Sequence, residues 1–261
     1  GTLASCDEKD GPGRMTEPEE IIEVAARLVA RTNAFAKKRI TITAGPTRER
    51  WDAIRYISND SSGKMGYSLA TEAERQGAQV TLISGPTGLS APPSVKIVRV
   101  ESANDMHKAV MESLDQTDVL IMAAAVADYR PKNIQASKIK KDGGEATIIL
   151  ERTQDILEEA SRRTSKPLFV GFAAESENLI ENAKEKLRRK NLDLIIANPV
   201  GGIEGAMGSD STSAVLVNRN GQQIMVDHLD KNALAVLILN KVQELLGDIG
   251  DNVKELRGRA S

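Results

Sequence analysis

The chain has 261 residues, enough to bury one sizeable α/β core, and a formal charge of -2 with an isoelectric point near 5.9, which argues against a broad nucleic-acid footprint. Three phenylalanines, three tyrosines and one tryptophan are too few for base-stacking platforms, and with Cys6 the only cysteine and His107 and His228 the only histidines there is no internal disulfide or CxxC site and little material for a His-based triad or zinc centre. No apolar run approaches ~20 residues and the opening GTLASCDEKDGPGRM is polar, so a cytoplasmic protein with no membrane or nucleic-acid partner and no signal peptide is expected.

Residues 1–15 read as a loop. Thr16-Glu17-Pro18-Glu19 forms a capping box, and the apolar pattern after it predicts a helix to about Phe35. Ala36–Arg39 reads as a hinge. From there strand and helix signals alternate. Arg39–Ala44 (RITITA) is a β-branched strand ended by Gly45-Pro46; a long loop leads to a helix over Met65–Gln76, closed by Gly77. Strands follow at Gln79–Ser84 and Val95–Val100, then a helix over Ala103–Leu114 and the almost wholly apolar strand Val119–Ala123, a pattern suited to burial on both faces. After a polar insertion come a strand near Ala146–Leu150, a helix near Ile156–Arg163, the strand Leu168–Ala173, a helix over Leu179–Lys190 and the strand Leu192–Ala197. Ser213–Asn218 and Gln222–His228 flank Arg219-Asn220-Gly221 as a hairpin. The last amphipathic helix covers Lys231–Leu246, and the polar end 248–261 reads as frayed. The expected fold is α/β: a Rossmann-like, mostly parallel sheet with helices on both faces and a small β-hairpin extension.

Ligands of such folds sit beyond the carboxyl ends of the strands. The segment GPTRERWDAIRYISNDSSGKMG (45–66) leads into a helix that starts at Ser61-Ser62-Gly63, where small residues leave backbone N–H groups able to meet an anion; a simply capped, tightly packed helix is the alternative. It is not a P-loop, because Met65 follows Gly63-Lys64 and Ser58 stands at the first glycine position. It is a poor dinucleotide fingerprint too, since the turn is long and no acidic residue follows the second strand at Ser84-Gly85-Pro86. Arg55 suits a phosphate or carboxylate fork and Asn59 carries an amide able to donate to an oxyanion; both also fit ordinary loop roles. The run Ala123–Arg130 offers small residues at Ala124 and Ala125 for close backbone approach, and Asp128 for a ribose, a metal-held phosphate or a turn. Lys138 and Lys140 fall on one side if their segment is extended. Lys186 and Lys190 share a helix face, where repulsion costs ~0.2–0.5 kcal/mol unless an anion sits between them; the alternative is a charged outer face on which Glu185 and Arg189 pair. Phe172 suits a base or the core, and Asn198 lies in a turn signal at the last strand exit. From residues alone the reading is a phosphate-handling α/β enzyme, with positive side chains and bare backbone amides gathered at the strand ends.

RYISNDSSGKMG (55–66), AAVADYR (124–130), KIKK (138–141), GFAAE (171–175) and KNLDLIIAN (190–198) resemble, in order and spacing, the bacterial phosphopantothenoylcysteine synthetases. In many bacteria that activity is the C-terminal half of a bifunctional flavoprotein. The resemblance runs from about Arg39 to Leu246, and GRMTEPEEI (13–21) is similar to the tail of the preceding decarboxylase domain. It implies a decarboxylase tail and linker over 1–36, a synthetase domain over 37–247 and a polar tail over 248–261, with FMN confined to a decarboxylase domain outside this chain. It also implies 4'-phosphopantothenate, L-cysteine and CTP with Mg2+ as substrates and cofactor, and a homodimer. By resemblance Lys138 is the key lysine of acyl-cytidylate formation, and Asn59 stabilises the oxyanion of amide formation. Lys186 and Lys190 hold the triphosphate, while Ala124, Ala125, Asp128, Asp155, Ile156 and Phe172 surround the nucleotide. Ser61, Ser62, Gly63, Asn59 and Ala125 line the acid substrate, and Arg55 reaches the neighbouring subunit's site. The metal ligands are unknown. The family often has Pro-Asp-Ile where this chain has Gln154-Asp155-Ile156, which loosens that turn. Nothing in the residues separates CTP from ATP. Two alternatives stay open: an NAD(P)-dependent reductase of the same architecture, and a non-catalytic nucleotide-binding module.

Overall fold

Alternation along each central strand builds two cores, one on each face of a single sheet. The computed structural model describes residues 32–140, 145–163, 167–199 and 211–258, with side chains as far as 247, plus a short antiparallel pair, Thr2–Leu3 with Gly11–Pro12. The strands are β1 (Arg39–Ala44), β2 (Arg48–Arg50), β3 (Tyr56–Ser58), β4 (Gln79–Ser84), β5 (Lys96–Arg99), β6 (Val119–Met122) and β7 (Tyr129–Pro131), then β8 (Leu150–Arg152), β9 (Leu168–Glu175), β10 (Leu194–Pro199), β11 (Ser211–Asn218) and β12 (Gln223–Asp230). The helices are α1 (Lys64–Arg75), α2 (Ala103–Ser113), α3 (Ile156–Ser161), α4 (Leu179–Arg189) and α5 (Lys231–Gly258). Eight strands form the main sheet in the order β12-β11-β10-β9-β6-β1-β4-β5; β10 to β5 are mutually parallel, and the β11–β12 hairpin continues antiparallel at one edge.

Ile40, Ile42, Val119, Ile121, Leu168, Val170, Leu194 and Ile196 point to one face, where α1 and α5 cover them. Leu120, Met122, Phe169, Ile195 and Ala197 point to the other, under α2, α3 and α4. Each fully buried Ile or Leu is worth ~1.5–3 kcal/mol over the exposed side chain, so this two-faced core is the main stabilising term.

Helix α1 lies unusually close to β1, and glycine is what permits it. A Cβ on Gly66 would stand 2.5 Å from the Ala44 Cβ and 2.9 Å from the Thr43 carbonyl oxygen. Gly66→Ala is therefore expected to destabilise the domain by ~1–3 kcal/mol through overpacking, seen as a lower midpoint in urea at unchanged slope.

Several expectations need correcting. The strand expected near Ala146–Leu150 is instead Leu150–Arg152, because its partner β7 is only three residues long and pairs with those three. The long loop after β1 contains a hairpin, β2–β3, too short for any periodicity to reveal. Asn198-Pro199 is the end of β10, not a turn: Pro199 lies past the last residue that β11 pairs, where its missing N–H costs no ladder bond there. The polar end is helical as far as Gly258, since no proline interrupts it and Gly247 and Gly250 cost only ~1 kcal/mol each. The helix expected from Thr16 falls outside the described residues up to position 31; Phe35, its expected end, sits buried in a turn.

Candidate functional site

From β1 the chain winds outward through β4 and β5 and then crosses to β6 on the other flank of β1, so the crevice of the sheet lies beyond the β1 and β6 exits. These exits clasp each other. Pro46 bridges to Ala125, Ala125 N donates to the Gly45 oxygen at 2.9 Å, and Thr47 N to the Ala125 oxygen at 3.3 Å. Ala124 N donates to Thr43 Oγ1 (3.1 Å) and Ala127 N to Thr47 Oγ1 (3.0 Å). The backbone amides of 124, 125 and 127 are thus spent within the fold. What Ala124 and Ala125 contribute is room.

That room is a cavity of about 190 Å3 between the start of α1 (61–65) and the exits of β6 (123–125) and β9 (172–174), with Asn198, Thr212 and Lys231 closing it. Gly63 takes φ +78°, and a Cβ there would lie 2.8 Å from Thr87 Cγ2 and 3.2 Å from the Gly45 Cα, so glycine is needed both for the turn and for the close approach. Ser61 and Ser62 accept from the N–H groups of Gly63 (3.3 Å) and Lys64 (3.4 Å). The structure therefore brings together Ser61, Ser62, Gly63, Ala124, Ala125 and Phe172, and adds Lys64, Thr212 and Lys231, which sequence reasoning did not single out. Asn198 lines the cavity, its amide donating to Thr212 Oγ1 (2.9 Å) and the Ser213 oxygen (3.0 Å).

Asn59 is fastened at the rim: its amide nitrogen donates to the carbonyl oxygens of Ala125 (3.2 Å) and Val126 (3.1 Å). Both amide hydrogens are thereby engaged. Arg55 is likewise committed within its own chain. Its Nη2 donates to the Ile139 oxygen (2.8 Å), its Nε pairs with Asp52 (3.1 Å), and its guanidinium lies 4.9 Å from the Trp51 ring centre. Lys138, beside Ile139, is exposed.

The remaining predicted residues lie outside this cavity. Phe172 packs with the α1–α5 core, whereas α4 packs on the opposite face, so Lys186 and Lys190 belong to the other side of the sheet. Neither lysine stands as a bare cation: Lys186 bonds Glu175, and Lys190 pairs with Asp155 at 2.8 Å. The repulsion expected between them is already offset by these carboxylates. Burial pushes the Asp155 carboxyl up, but Lys190 and the Glu158 N–H outweigh it and hold it below its usual value. Glu175 is held low in the same way by Lys186 and Asn182, against burial. Asp155 also caps α3 through Glu158 N (3.1 Å). Ile156 is 3% exposed, so only its backbone can meet a ligand. Asp128 is exposed and its carbonyl oxygen accepts from Thr153 N (2.9 Å), while Thr153 Oγ1 donates to the Ala127 oxygen (2.6 Å). This ties the 153–155 segment to the β6 exit. Among the described residues no group of three His, Cys, Asp or Glu side chains is placed to hold a metal, and no helix is long and apolar enough to cross a membrane.

A family model described as the DNA/pantothenate metabolism flavoprotein C-terminal domain matches residues 35–246. The coenzyme A biosynthesis bifunctional protein CoaBC of Bacillus subtilis (strain 168) is 39% identical over 244 residues, which are 92% of this chain and 60% of that protein. Its Escherichia coli (strain K12) namesake is 43% identical over 236 residues, 89% and 58% respectively. The chain thus spans about 60% of the length of these curated relatives. The crystal structure of the C-terminal domain of a CoaBC protein superimposes with a TM-score of 0.73 at 43% identity, covering 83% of this chain and all of that one. A Cab2 mutant in complex with phosphopantothenate-cysteine, at 16% identity and TM-score 0.68, shares the fold.

Proposed function

The chain belongs to the DNA/pantothenate metabolism flavoprotein C-terminal domain family, and from that premise we propose that it joins 4'-phosphopantothenate to L-cysteine through an acyl-cytidylate, converting CTP to CMP and pyrophosphate. The substrate carboxylate attacks the α-phosphate of CTP and pyrophosphate leaves. The cysteine amine then attacks the activated acyl carbon, an oxyanion forms, and CMP departs as the amide is made. The observation that carries this reading is the cavity at the β1–β6 crevice, where an α-helix start meets exits of small residues and Phe172. The relatives' printed role in coenzyme A biosynthesis supports it.

In this reading the α1 start, Ser61 to Gly63, and Ala125 receive the acid substrate, and Asn59 stands at the boundary between the two steps. Phe172, Ala124 and Asp128 flank the nucleotide. Lys186 and Lys190 receive its triphosphate by exchanging Glu175 and Asp155 for phosphate oxygens. Mg2+ in such sites is held by substrate phosphates with one or two carboxylates, and the chain fits that pattern better than a protein-only cage; Asp128 and Asp155 are the carboxylates near the nucleotide side. When bound, the ion neutralises phosphate charge. FMN belongs with a decarboxylase domain joined before residue 37. Domain limits of 1–36, 37–247 and 248–261 go with this reading. The decisive assay is pyrophosphate release from CTP and 4'-phosphopantothenate, with and without cysteine; no release in either case overturns the proposal.

A cavity of about 190 Å3 is below the ~300–1,000 Å3 usual for such ligands, which suits a site completed by a second copy. Among the described residues, six of the seven exposed large hydrophobic ones, Ile54, Tyr56, Tyr129, Ile134, Ile149 and Leu150, sit on or beside the small strand pairs β2–β3 and β7–β8, where β2 packs near β7. Such an exposed apolar set needs a cover. The double substitution Ile134→Glu with Ile149→Glu is expected to turn a dimer into a monomer in sedimentation velocity, and a persisting dimer would remove these hairpins as the interface.

A further inference from the structure

Asp52 is a polar residue in the loop after β1, yet its side chain is fully buried. Two of its bonds are local: Oδ1 accepts from the N–H groups of Ile54 (2.9 Å) and Arg55 (2.8 Å), as in a common Asx-type turn. The others are not. Oδ2 accepts from Ile139 N at 3.2 Å, from a segment 87 residues away, and pairs with Arg55 Nε at 3.1 Å. Arg55 completes the grip, since its Nη2 donates to the Ile139 oxygen at 2.8 Å. Both backbone polar groups of Ile139 are thus held by one ion pair, its carboxylate buried and its guanidinium partly exposed. A third link, Gln135 N to the Trp51 oxygen at 3.1 Å, aligns the same two segments. Ile139 lies between Lys138 and Lys140, both exposed. A lysine on an otherwise loose polar stretch has a wide range of positions; one whose neighbouring peptide is clamped at N–H and C=O does not.

We propose that Asp52 is a positioning residue whose buried carboxylate, acting with Arg55 on the backbone of Ile139, fixes where the Lys138 ammonium stands during nucleotide activation. This rests on the proposed function and on Lys138 acting in acyl-cytidylate formation, as the family resemblance implies. A turn-capping aspartate with only a structural role would lower stability and leave the rate of the folded enzyme alone; a positioning residue lowers kcat in the folded enzyme.

Asp52→Asn keeps the shape but turns an N–H donor toward Ile139 N and Arg55 Nε. Three readouts test it on the full chain. Hydrogen exchange of peptides covering 135–140 is expected to quicken; unchanged protection overturns the clamp. In cysteine-free pyrophosphate release, the single-turnover rate is expected to fall between roughly 10-fold and 10²-fold, and kcat with cysteine to follow it, while KM for CTP in the full reaction moves less than about twofold, as for a misplaced catalytic group. In a Lys138→Gln background the same substitution is expected to change kcat little further, because the two act through one group. Wild-type kcat in Asp52→Asn beside an inactive Lys138→Gln overturns the inference; wild-type turnover in Lys138→Gln instead overturns the role of Lys138 on which it rests. Should Asp52→Asn not fold, Ile139→Pro removes the N–H whose bond the carboxylate accepts, while also fixing φ at 139 and restricting Lys138, and undiminished kcat there sinks the proposal.

Discussion

Replacing Lys138 by glutamine is expected to lower pyrophosphate release from CTP and 4'-phosphopantothenate by about 10²-fold to 10³-fold, with the folded structure unchanged. The first step brings a carboxylate against a triphosphate, and an ammonium already in place stabilises the charge that gathers as they meet. A pre-positioned group of that kind is worth ~2.7–4 kcal/mol of barrier. Glutamine keeps a polar side chain of similar length and removes the charge. Lys138 is exposed and makes no hydrogen bond or ion pair among the described residues, so the substitution should change stability by no more than ~0.5 kcal/mol. A continuous pyrophosphate assay with a thermal melt separates the two effects. Wild-type turnover would return Lys138 to a solvated surface lysine. A chain that binds CTP yet shows no turnover in either form would be the non-catalytic nucleotide module.

Asn59→Asp is expected to do something different: pyrophosphate is still released, while amide formation with cysteine falls by ~2.7–4 kcal/mol of barrier. The structure adds a reason beyond a lost donor. The Asn59 amide joins the loop to the carbonyls of Ala125 and Val126. An aspartate would face two carbonyl oxygens with a third negative group, so the loop is pushed off the β6 exit. Asn59→Ala separates the causes. It removes the donor without the repulsion, so amide formation should still fall if donation to the oxyanion is what matters. If both variants form amide at the wild-type rate, Asn59 is a loop anchor and no more. For the amide to serve the oxyanion, one of its two carbonyl contacts must give way when the acyl intermediate forms.

Much of the frame was legible beforehand because burial on both faces of a parallel sheet leaves a strong mark. Runs such as RITITA and VLIM cannot be read otherwise once Gly45-Pro46 and the alanines after Met122 end them. That ligands belong at the strand exits was legible for the same reason, but which exits form the crevice came only from the strand order. The small hairpins were not, because three-residue strands have no period; the expected strand near Ala146–Leu150 was displaced onto Leu150–Arg152 by the partner available to it. Nor was the clasp of the β1 and β6 exits, which engages the amides of Ala124 and Ala125 within the fold.

Charge was the least legible part. Lys186 and Lys190 read as a repelling pair, yet Glu175 and Asp155, 11 and 35 residues away, each neutralise one of them. Asp52 gave no signal, being one acidic residue three positions before an arginine. The linear chain by itself determined what depends on neighbours one to four residues away: which of the longer stretches form strands and helices, and which small or charged residues follow the strands. Only the tertiary structure decided which of those residues meet, because a hydrogen bond between Asp52 and Ile139 or an ion pair between Lys190 and Asp155 depends on distance in space, and chain periodicity is silent about contacts between segments it does not link.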